Sequence, residues 1–279
     1  MTVSPPLHFS VLILTFNEAA RLPACLAALA GCDDVVVLDS GSTDRTAEIA
    51  RAAGARVFTH PFENFAAQRN HAHAAIEFRH PLVFHLDADE SLTPELAAEC
   101  AALDPAAPVD GYYAAPKMMF GGRWLRHCTD FPAWQARCVR ARGFRFVQVG
   151  HGQREAPAMR MAFLRGSYLH DISVDDEGEW ETKHRRYARE EAGQFLAERR
   201  GFAAALRLLL TGPTLERRRV LKHFSHYLPG RPALRFFYQY YLRRGFRDGP
   251  PARRYCRLLA RYEGFTVEEI KRQRRSAHG

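Results

Sequence analysis

The sequence predicts an α/β protein built on a mostly parallel sheet flanked by helices, and three observations carry that prediction. Apolar strand-like runs alternate with helical stretches four times within the first hundred residues. The runs are short and nearly continuous in Val, Leu, Ile and Phe, which suits strands buried on both faces. Each of three runs ends in polar or acidic residues, at the strand ends where open α/β sheets bind ligands.

In chain order, residues 1–8 with Pro5 and Pro6 are expected to be a disordered lead-in. Residues 9–14 form the first strand and Thr15-Phe16-Asn17-Glu18 the loop at its end. Leu22, Leu26 and Leu29 recur at helical spacing within residues 19–30. A second strand over 35–38 ends in Asp39-Ser40-Gly41-Ser42-Thr43-Asp44, and the helix after it, 45–53, stops at Gly54. A third strand (56–59) and a third helix (64–77) lead to the fourth strand, 82–86. That strand runs into Asp87-Ala88-Asp89-Glu90, and Thr93 with Pro94 supplies an N-cap and first turn for a helix through 103.

Composition sets bounds on what the chain can be. With 279 residues, 47% hydrophobic and 25% charged, it can bury a sizeable core as an ordinary globular protein. Its six cysteines contain no Cys-x-x-Cys pair, which points to a reducing compartment rather than a disulfide framework or zinc site. No apolar run is long enough to span a bilayer and no secretory signal is evident, so a cytoplasmic location is expected. Charge is uneven: residues 1–180 hold 16 Lys and Arg against 22 Asp and Glu, whereas 181–279 hold 24 against 9. The C-terminal third therefore calls for an anionic partner, membrane surface or nucleic acid.

The strand ends carry the chemistry. Asn17 and Glu18, then Asp39 with Ser40 and Ser42, then Asp87 with Asp89, would converge on one crevice. An Asp-x-Asp at a strand end suits a hard divalent cation, Mg²⁺ or Mn²⁺, held by few protein oxygens with phosphate oxygens completing its shell. The plainer alternative is a turn rich in Asp because Asp favours turns. Neither Gly-x-Gly-x-x-Gly nor a P-loop occurs. Carboxylates beside an acidic ligand then make sense through a metal, or by addressing ribose hydroxyls and a base N–H.

Thr15-x-Asn17-Glu18, the 37–44 segment, Gln68-Arg69-Asn70 and Leu86-Asp87-Ala88-Asp89-Glu90 together resemble family 2 glycosyltransferases over residues 9–103. These are inverting enzymes of the GT-A fold that use nucleotide-diphosphate sugars. The resemblance is strongest to bacterial enzymes that add one sugar to lipopolysaccharide-core or exopolysaccharide precursors. It implies that Thr15 and Glu18 line the nucleoside pocket, that Asp39 meets the base, and that Arg69 lies near nucleotide or donor sugar. It further implies that Asp87 approaches ribose and metal and that Asp89 binds the metal. For Arg69 a helix-surface position is the alternative. The domain division it implies is a catalytic region over 9–175, with a nucleotide-sugar half to 103 and an acceptor half over 104–175, followed by a basic helical region over 176–279.

In the acceptor half, Gly122-Arg123-Trp124-Leu125-Arg126-His127 resembles a motif of the same family, and Trp124, Arg126 and Phe131 are candidate acceptor contacts. Trp and Phe at such places are equally candidates for core. Inversion by single displacement needs a carboxylate to take the acceptor proton. Relatives carry a Val-His-Glu type sequence where this chain has His151-Gly152-Gln153-Arg154-Glu155, so Glu155 is the first candidate base, His151 the second and Asp130 the third. A structural ion pair with Arg154 or Arg165 is the alternative for Glu155. A strand over 164–170 ends in His170, which the resemblance makes a third metal ligand.

The region 176–279 is basic, and residues 233–246 interleave Phe and Tyr with Arg, a pattern that lies well on an anionic bilayer. A plain helical subdomain and a single-stranded nucleic-acid site are the alternatives, the latter the weaker. His223 and His226 are expected on a helix surface. No Gln-x-x-Arg-Trp of processive synthases occurs, which favours a single transfer. The whole predicts a peripheral enzyme at the inner face of the cytoplasmic membrane, moving a sugar from a UDP-linked donor to a lipid-linked saccharide. The other classes weighed are a nucleotidyltransferase and a non-catalytic module recruited to membrane or RNA.

Overall fold

The computed structural model describes residues 7–149, 152–197, 211, 220, 225–226 and 228–276. Contacts divide the chain into two compact units, one of residues 1–119 and 130–172, the other of residues 120–129 and 173–279. Residues 120–129, expected in the acceptor half, thus cluster with the helical unit.

In the first unit, β1 (Ser10–Thr15) is buried along its whole length because both its neighbours are parallel strands. These are β2 (Val35–Asp39) on one side and β4 (Leu82–Asp87) on the other, with β3 (Arg56–Thr59) parallel outside β2. The helices between them are α1 (Leu22–Ala27), α2 (Thr46–Ala52) and α3 (Phe65–Ala75). Asn64 caps α3 by accepting from the Ala67 amide, and Thr93 caps α4 (Pro94–Ala101) by accepting from Leu96. Helix α1 is shorter than the 19–30 expected. Residue 7 is not part of a loose lead: Leu7 is buried and bridges to Cys32.

Beyond β4 the sheet is mixed. β5 (Glu90–Ser91) follows the acidic turn, and β6 (Gly111–Phe120) and β8 (Gln135–Arg140) follow α4, separated by the two-residue β7 (Arg123–Trp124). A small hairpin of β9 (Phe146–Val149) and β10 (Gly152–Glu155) precedes the long β11 (Met161–Asp171). The strand order is β3-β2-β1-β4-β8-β6-β11-β5. β8 is antiparallel to β4 and to β6, β11 is parallel to β6, and β5 is antiparallel to β11. β8 pairs with β4 only from Leu82 to Phe84, so the last residues of β4 stay paired with β1 but are unpaired on the β8 side.

The second unit contains α5 (Glu177–Ala197), α6 (Arg231–Phe237) and the long α7 (Pro250–Ser276). Asp176 caps α5, accepting from the amides of Gly178 and Glu179. The aromatic and basic segment 233–246 runs through α6, a π-helical turn over Tyr238–Leu242 and into a 3₁₀ turn over Gly245–Asp248, with Arg244 in the left-handed region between the turns. His226 is not a surface residue, since its ring packs on Phe195 with centroids 4.6 Å apart; His223 lies outside the described residues. Among the described residues no helix is long and apolar enough to cross a membrane.

Candidate active site

The ends of β1 and β2 are stitched into one self-contained loop pair. The Asp39 carboxylate accepts from Thr15 Oγ1 (2.9 Å), the Gly41 and Ser42 amides (3.0 and 2.8 Å) and Ser42 Oγ (2.5 Å). Asn17, at φ 55°, donates its amide to Ser42 Oγ and accepts from the Thr43 amide, both at 2.8 Å. Asn tolerates that left-handed backbone better than most residues. The Glu18 amide donates to Thr46 Oγ1 (2.8 Å), and Ser40 accepts from Gln68 Nε2 (3.1 Å). The predicted nucleoside residues are therefore brought together, and the two loops hold each other.

The end of β4 is built differently. Arg69 is only 1% exposed, so it is not a helix-surface residue as the alternative had it. Its Nη2 donates to Asp87 Oδ1 at 2.8 Å, while its Nε and Nη1 are buried with no hydrogen-bond partner. Burial depresses its pKa, with Asp87 opposing that shift. Three consecutive residues of α3 thus serve three places: Gln68 reaches Ser40, Arg69 reaches Asp87, and Asn70 exchanges two hydrogen bonds with the Phe146 backbone at 2.9 Å. The last pair pins β9, and with it the hairpin that carries Glu155.

Opposite Arg69 stands Arg137 of β8, a residue that the motifs do not single out. Its Nη2 donates to Glu90 Oε1 and Gln135 Oε1, both at 2.7 Å, its Nε to the Tyr168 hydroxyl (3.0 Å), and its Nη1 to the His85 carbonyl (3.2 Å). The same Nη2 lies 3.8 Å from Asp87 Oδ2. Glu90 is fully buried; burial pushes its carboxyl up to about 7 against the pull of Arg137, and its Oε2 accepts from the Asp87 amide at 2.8 Å. The Asp-x-Asp turn is thus held from below by a buried carboxylate and a buried guanidinium.

Antiparallel pairing of β5 with β11 sets His170 opposite Glu90. His170 Nε2 is 3.4 Å from Asp89 Oδ2, Arg21 is 3.7 Å from the same oxygen, and His170 Nδ1 is 3.6 Å from Glu90 Oε1. Burial works to raise the Asp89 pKa, but His170 and Arg21 outweigh it and hold the carboxyl below its ordinary value. Burial likewise works against the His170 cation, and the two carboxylates raise its pKa in spite of that. Among the described residues no three His, Cys, Asp and Glu side chains form a ready metal site. Asp89 and His170 nonetheless fit a divalent cation that arrives with its diphosphate. They are adjacent and partly open, with His170 Nε2 on the Asp89 side, an imidazole nitrogen and a carboxylate oxygen being a donor pair that such a cation accepts. Asp87 fits it less well, because one oxygen already receives Arg69.

Asp87 and Glu155 open on one cleft of about 530 Å³, lined also by Phe65, Trp134, Arg137 and Phe146. Glu155 does not pair with Arg154 or Arg165 as the alternative supposed. Its Oε1 accepts from the Tyr113 hydroxyl at 2.5 Å, and burial together with that carboxylate pushes the Tyr113 pKa up to about 12. His151 lies outside the described residues, and Asp130 is exposed in a loop before β8. Trp124 and Arg126 belong to the helical unit, with the Arg126 guanidinium 5.6 Å from the Trp124 ring centroid, whereas Phe131 is half-buried in the sheet unit.

Residues 10–156 match the family model described as Glycosyl transferase family 2, which is more than half of the chain. The chain belongs to glycosyl transferase family 2. Its mixed sheet, parallel through β4 and flanked by helices, is the GT-A fold of that family. Among curated relatives, an uncharacterized glycosyltransferase of Rickettsia bellii is 34% identical over 106 residues, covering 38% of this chain and 35% of that protein. The lipopolysaccharide core biosynthesis glycosyltransferase LpsC of Rhizobium meliloti is 36% identical over 97 residues, covering 33% and 35%. The chain spans about a third of the length of such relatives. A crystal structure of S. aureus TarS in complex with UDP-GlcNAc matches at 18% identity and a TM-score of 0.44, covering 95% of this chain and 91% of that one.

Proposed function

We propose that the chain is an inverting glycosyltransferase that moves one sugar from a nucleotide-diphosphate donor, UDP-linked, to a hydroxyl of a lipid-linked saccharide in envelope polysaccharide synthesis. The observation that carries this reading is that Asp87, at the end of a central parallel strand, and Glu155, on a separate hairpin, face one cleft within a family 2 sheet. One carboxylate belongs with the donor and the other with the acceptor. The name of the Rhizobium relative supports the envelope assignment.

In this reading Thr15, Asn17, Glu18, Asp39 and Ser40 shape the nucleoside end, and Arg69 holds Asp87 toward the ribose. Asp89 and His170, with Asp87 behind them, would hold Mg²⁺ or Mn²⁺, which when bound neutralises charge on the leaving diphosphate. Glu155 is the base. Tyr113 fixes its Oε1. The acceptor's hydroxyl oxygen attacks the anomeric carbon opposite the diphosphate, its proton passes to Glu155 Oε2, and the bond from the anomeric carbon to the diphosphate oxygen breaks. His151 is the second candidate for this role, and Trp124, Arg126 and Phe131 are candidate acceptor contacts.

Membrane attachment is proposed for the helical unit. Leu234, Phe237, Tyr241, Leu242 and Phe246 are exposed along α6 and the turns after it, beside exposed Arg244 and Arg247. Exposed apolar rings bordered by cations fit the interface of an anionic leaflet. Phe236 and Tyr240 contribute less, since they are half-buried and stack on each other at 5.3 Å.

The test is hydrolysis of UDP-sugars by the purified chain with Mn²⁺ or Mg²⁺, followed by a thermal-shift series. Donor at a hundred times its Kd should stabilise the fold by about 2.7 kcal/mol. Turnover abolished by EDTA and restored by metal is the expected result. A chain that neither binds nor cleaves any UDP-sugar under these conditions contradicts the reading.

A further inference from the structure

Two exposed aromatic rings beside the cleft take no part in the reading above. Trp134 is 40% exposed and Phe163 60%. They meet edge to face with centroids 5.0 Å apart, and the Tyr113 ring also lies 5.0 Å from Phe163. In such packing the edge of one ring rests on the face of the other, so each ring holds its neighbour in place while both stay in part open to water. Single exposed apolar residues are normal, but a contiguous group at a cleft marks a binding surface.

Two further observations tie the group to the site. Trp134 lines the same cleft as Asp87 and Glu155, and the Tyr113 hydroxyl donates to Glu155 Oε1. Phe163 stands where the register between β6 and β11 shifts, between Phe163 and Ser167. Irregularities of this kind re-aim side chains next to active sites.

Flat apolar faces beside a carboxylate match the chemistry of a pyranose, whose C–H face is apolar and whose rim bears hydroxyls. We infer that Trp134, braced by Phe163, is the platform on which the acceptor's sugar ring lies, with its reacting hydroxyl turned to Glu155. This rests on the glycosyltransferase reading and adds the acceptor's class at that site, a pyranoside ring. A nucleobase could also stack on these rings, but the loops of Thr15 and Asp39 end β1 and β2, whereas Trp134 precedes β8, on the far side of β4.

The full-length protein labelled with 5-fluorotryptophan has three fluorine reporters, Trp124, Trp134 and Trp180, and Trp134→Phe assigns the one of interest. The probes are the methyl pyranosides of glucose, galactose and mannose, with sorbitol as an acyclic control and UDP with Mn²⁺ as the nucleotide arm. The expected result is a saturable shift of the Trp134 signal with at least one pyranoside and none with sorbitol or UDP. Phe163→Ala should weaken that response about tenfold while leaving UDP binding, measured by calorimetry, unchanged. A Trp134 signal that no pyranoside moves, or that sorbitol moves equally, overturns the platform, as does one moved by UDP alone. Intact UDP binding with a silent Trp134 sinks only the platform. Lost UDP binding with a responsive Trp134 sinks the donor assignment and keeps a carbohydrate subsite.

Discussion

Asp39 and Asp87 end the two strands that flank β1, and they are held in opposite ways. Asp39 is 3% exposed and receives hydrogen bonds from Thr15, Gly41 and Ser42, so its own loop meets its needs. The Asp87 side chain is 31% exposed, meets one buried guanidinium directly and borders the cleft. Buried donors without partners, Arg69 Nε and Nη1, lie behind it. A carboxylate whose loop satisfies it builds structure. One left open over unpaired buried donors is poised for a ligand, because unmet polar groups cost free energy until something fills them.

The largest effect that would sharpen this contrast lies across the cleft. Glu155→Gln should cut turnover about a hundredfold or more, with donor affinity and thermal stability nearly unchanged. Steady-state kinetics beside UDP calorimetry reads both. If donor affinity falls with turnover, Glu155 lines the nucleotide site and the base is elsewhere.

Next in size is the structural carboxylate. Asp39→Ala strands the donors of Thr15, Gly41 and Ser42 and should lower stability by about 1–3 kcal/mol in urea denaturation. An unchanged midpoint together with lost donor binding would reverse the roles assigned to Asp39 and Asp87.

Asp34 extends the test to pH. It is buried and accepts from Ser10, Arg56 and the Arg79 amide. Burial works to raise its pKa, but those partners outweigh it and hold the carboxyl below the ordinary value. A depressed folded pKa stabilises above the unfolded value of about 3.9, and that contribution fades as pH falls through the folded pKa. The stability gap between the native chain and Asp34→Asn should therefore be full at neutral pH and shrink in strong acid. A gap of equal size under both conditions contradicts the assignment.

The smallest effect concerns the helical unit. Replacing Arg244 and Arg247 with Gln should weaken sedimentation with anionic vesicles, each charge contributing about 1 kcal/mol near the surface. Arg243 is no part of this test, because it donates to the carbonyls of His127 and Thr129. Vesicle binding that the double variant leaves untouched would remove the electrostatic part of the membrane proposal.

Much of this was legible in the sequence because it is local. Apolar runs ending in Asp39 and Asp87 and the Thr93-Pro94 start follow from propensities within a few residues. The buried state of Arg69 was not legible, since a lone Arg at helical spacing looks solvated until the neighbouring strand is known. Arg137 and Glu90 were missed for the same reason: their pairing depends on β8 inserting antiparallel beside β4, forty-odd residues away in sequence. Trp134 carried a signal, an aromatic just before a strand in the acceptor half, but only the cleft gives it a direction. The break in the 233–246 segment was hidden because its apolar spacing suits a helix, while Gly245 is packed against Cys128 and the Gln239 carbonyl, with room for no side chain.

The central claim is that the open carboxylate of Asp87 meets the donor directly, whereas Asp39 shapes the nucleoside end through the loop it holds together. Calorimetry of UDP with Mn²⁺ against Asp87→Asn and Glu155→Gln, each checked for a native melting transition, tests it most directly. The account predicts that Asp87→Asn loses measurable UDP binding while Glu155→Gln keeps the affinity of the unaltered protein. Undiminished UDP binding by Asp87→Asn would contradict it.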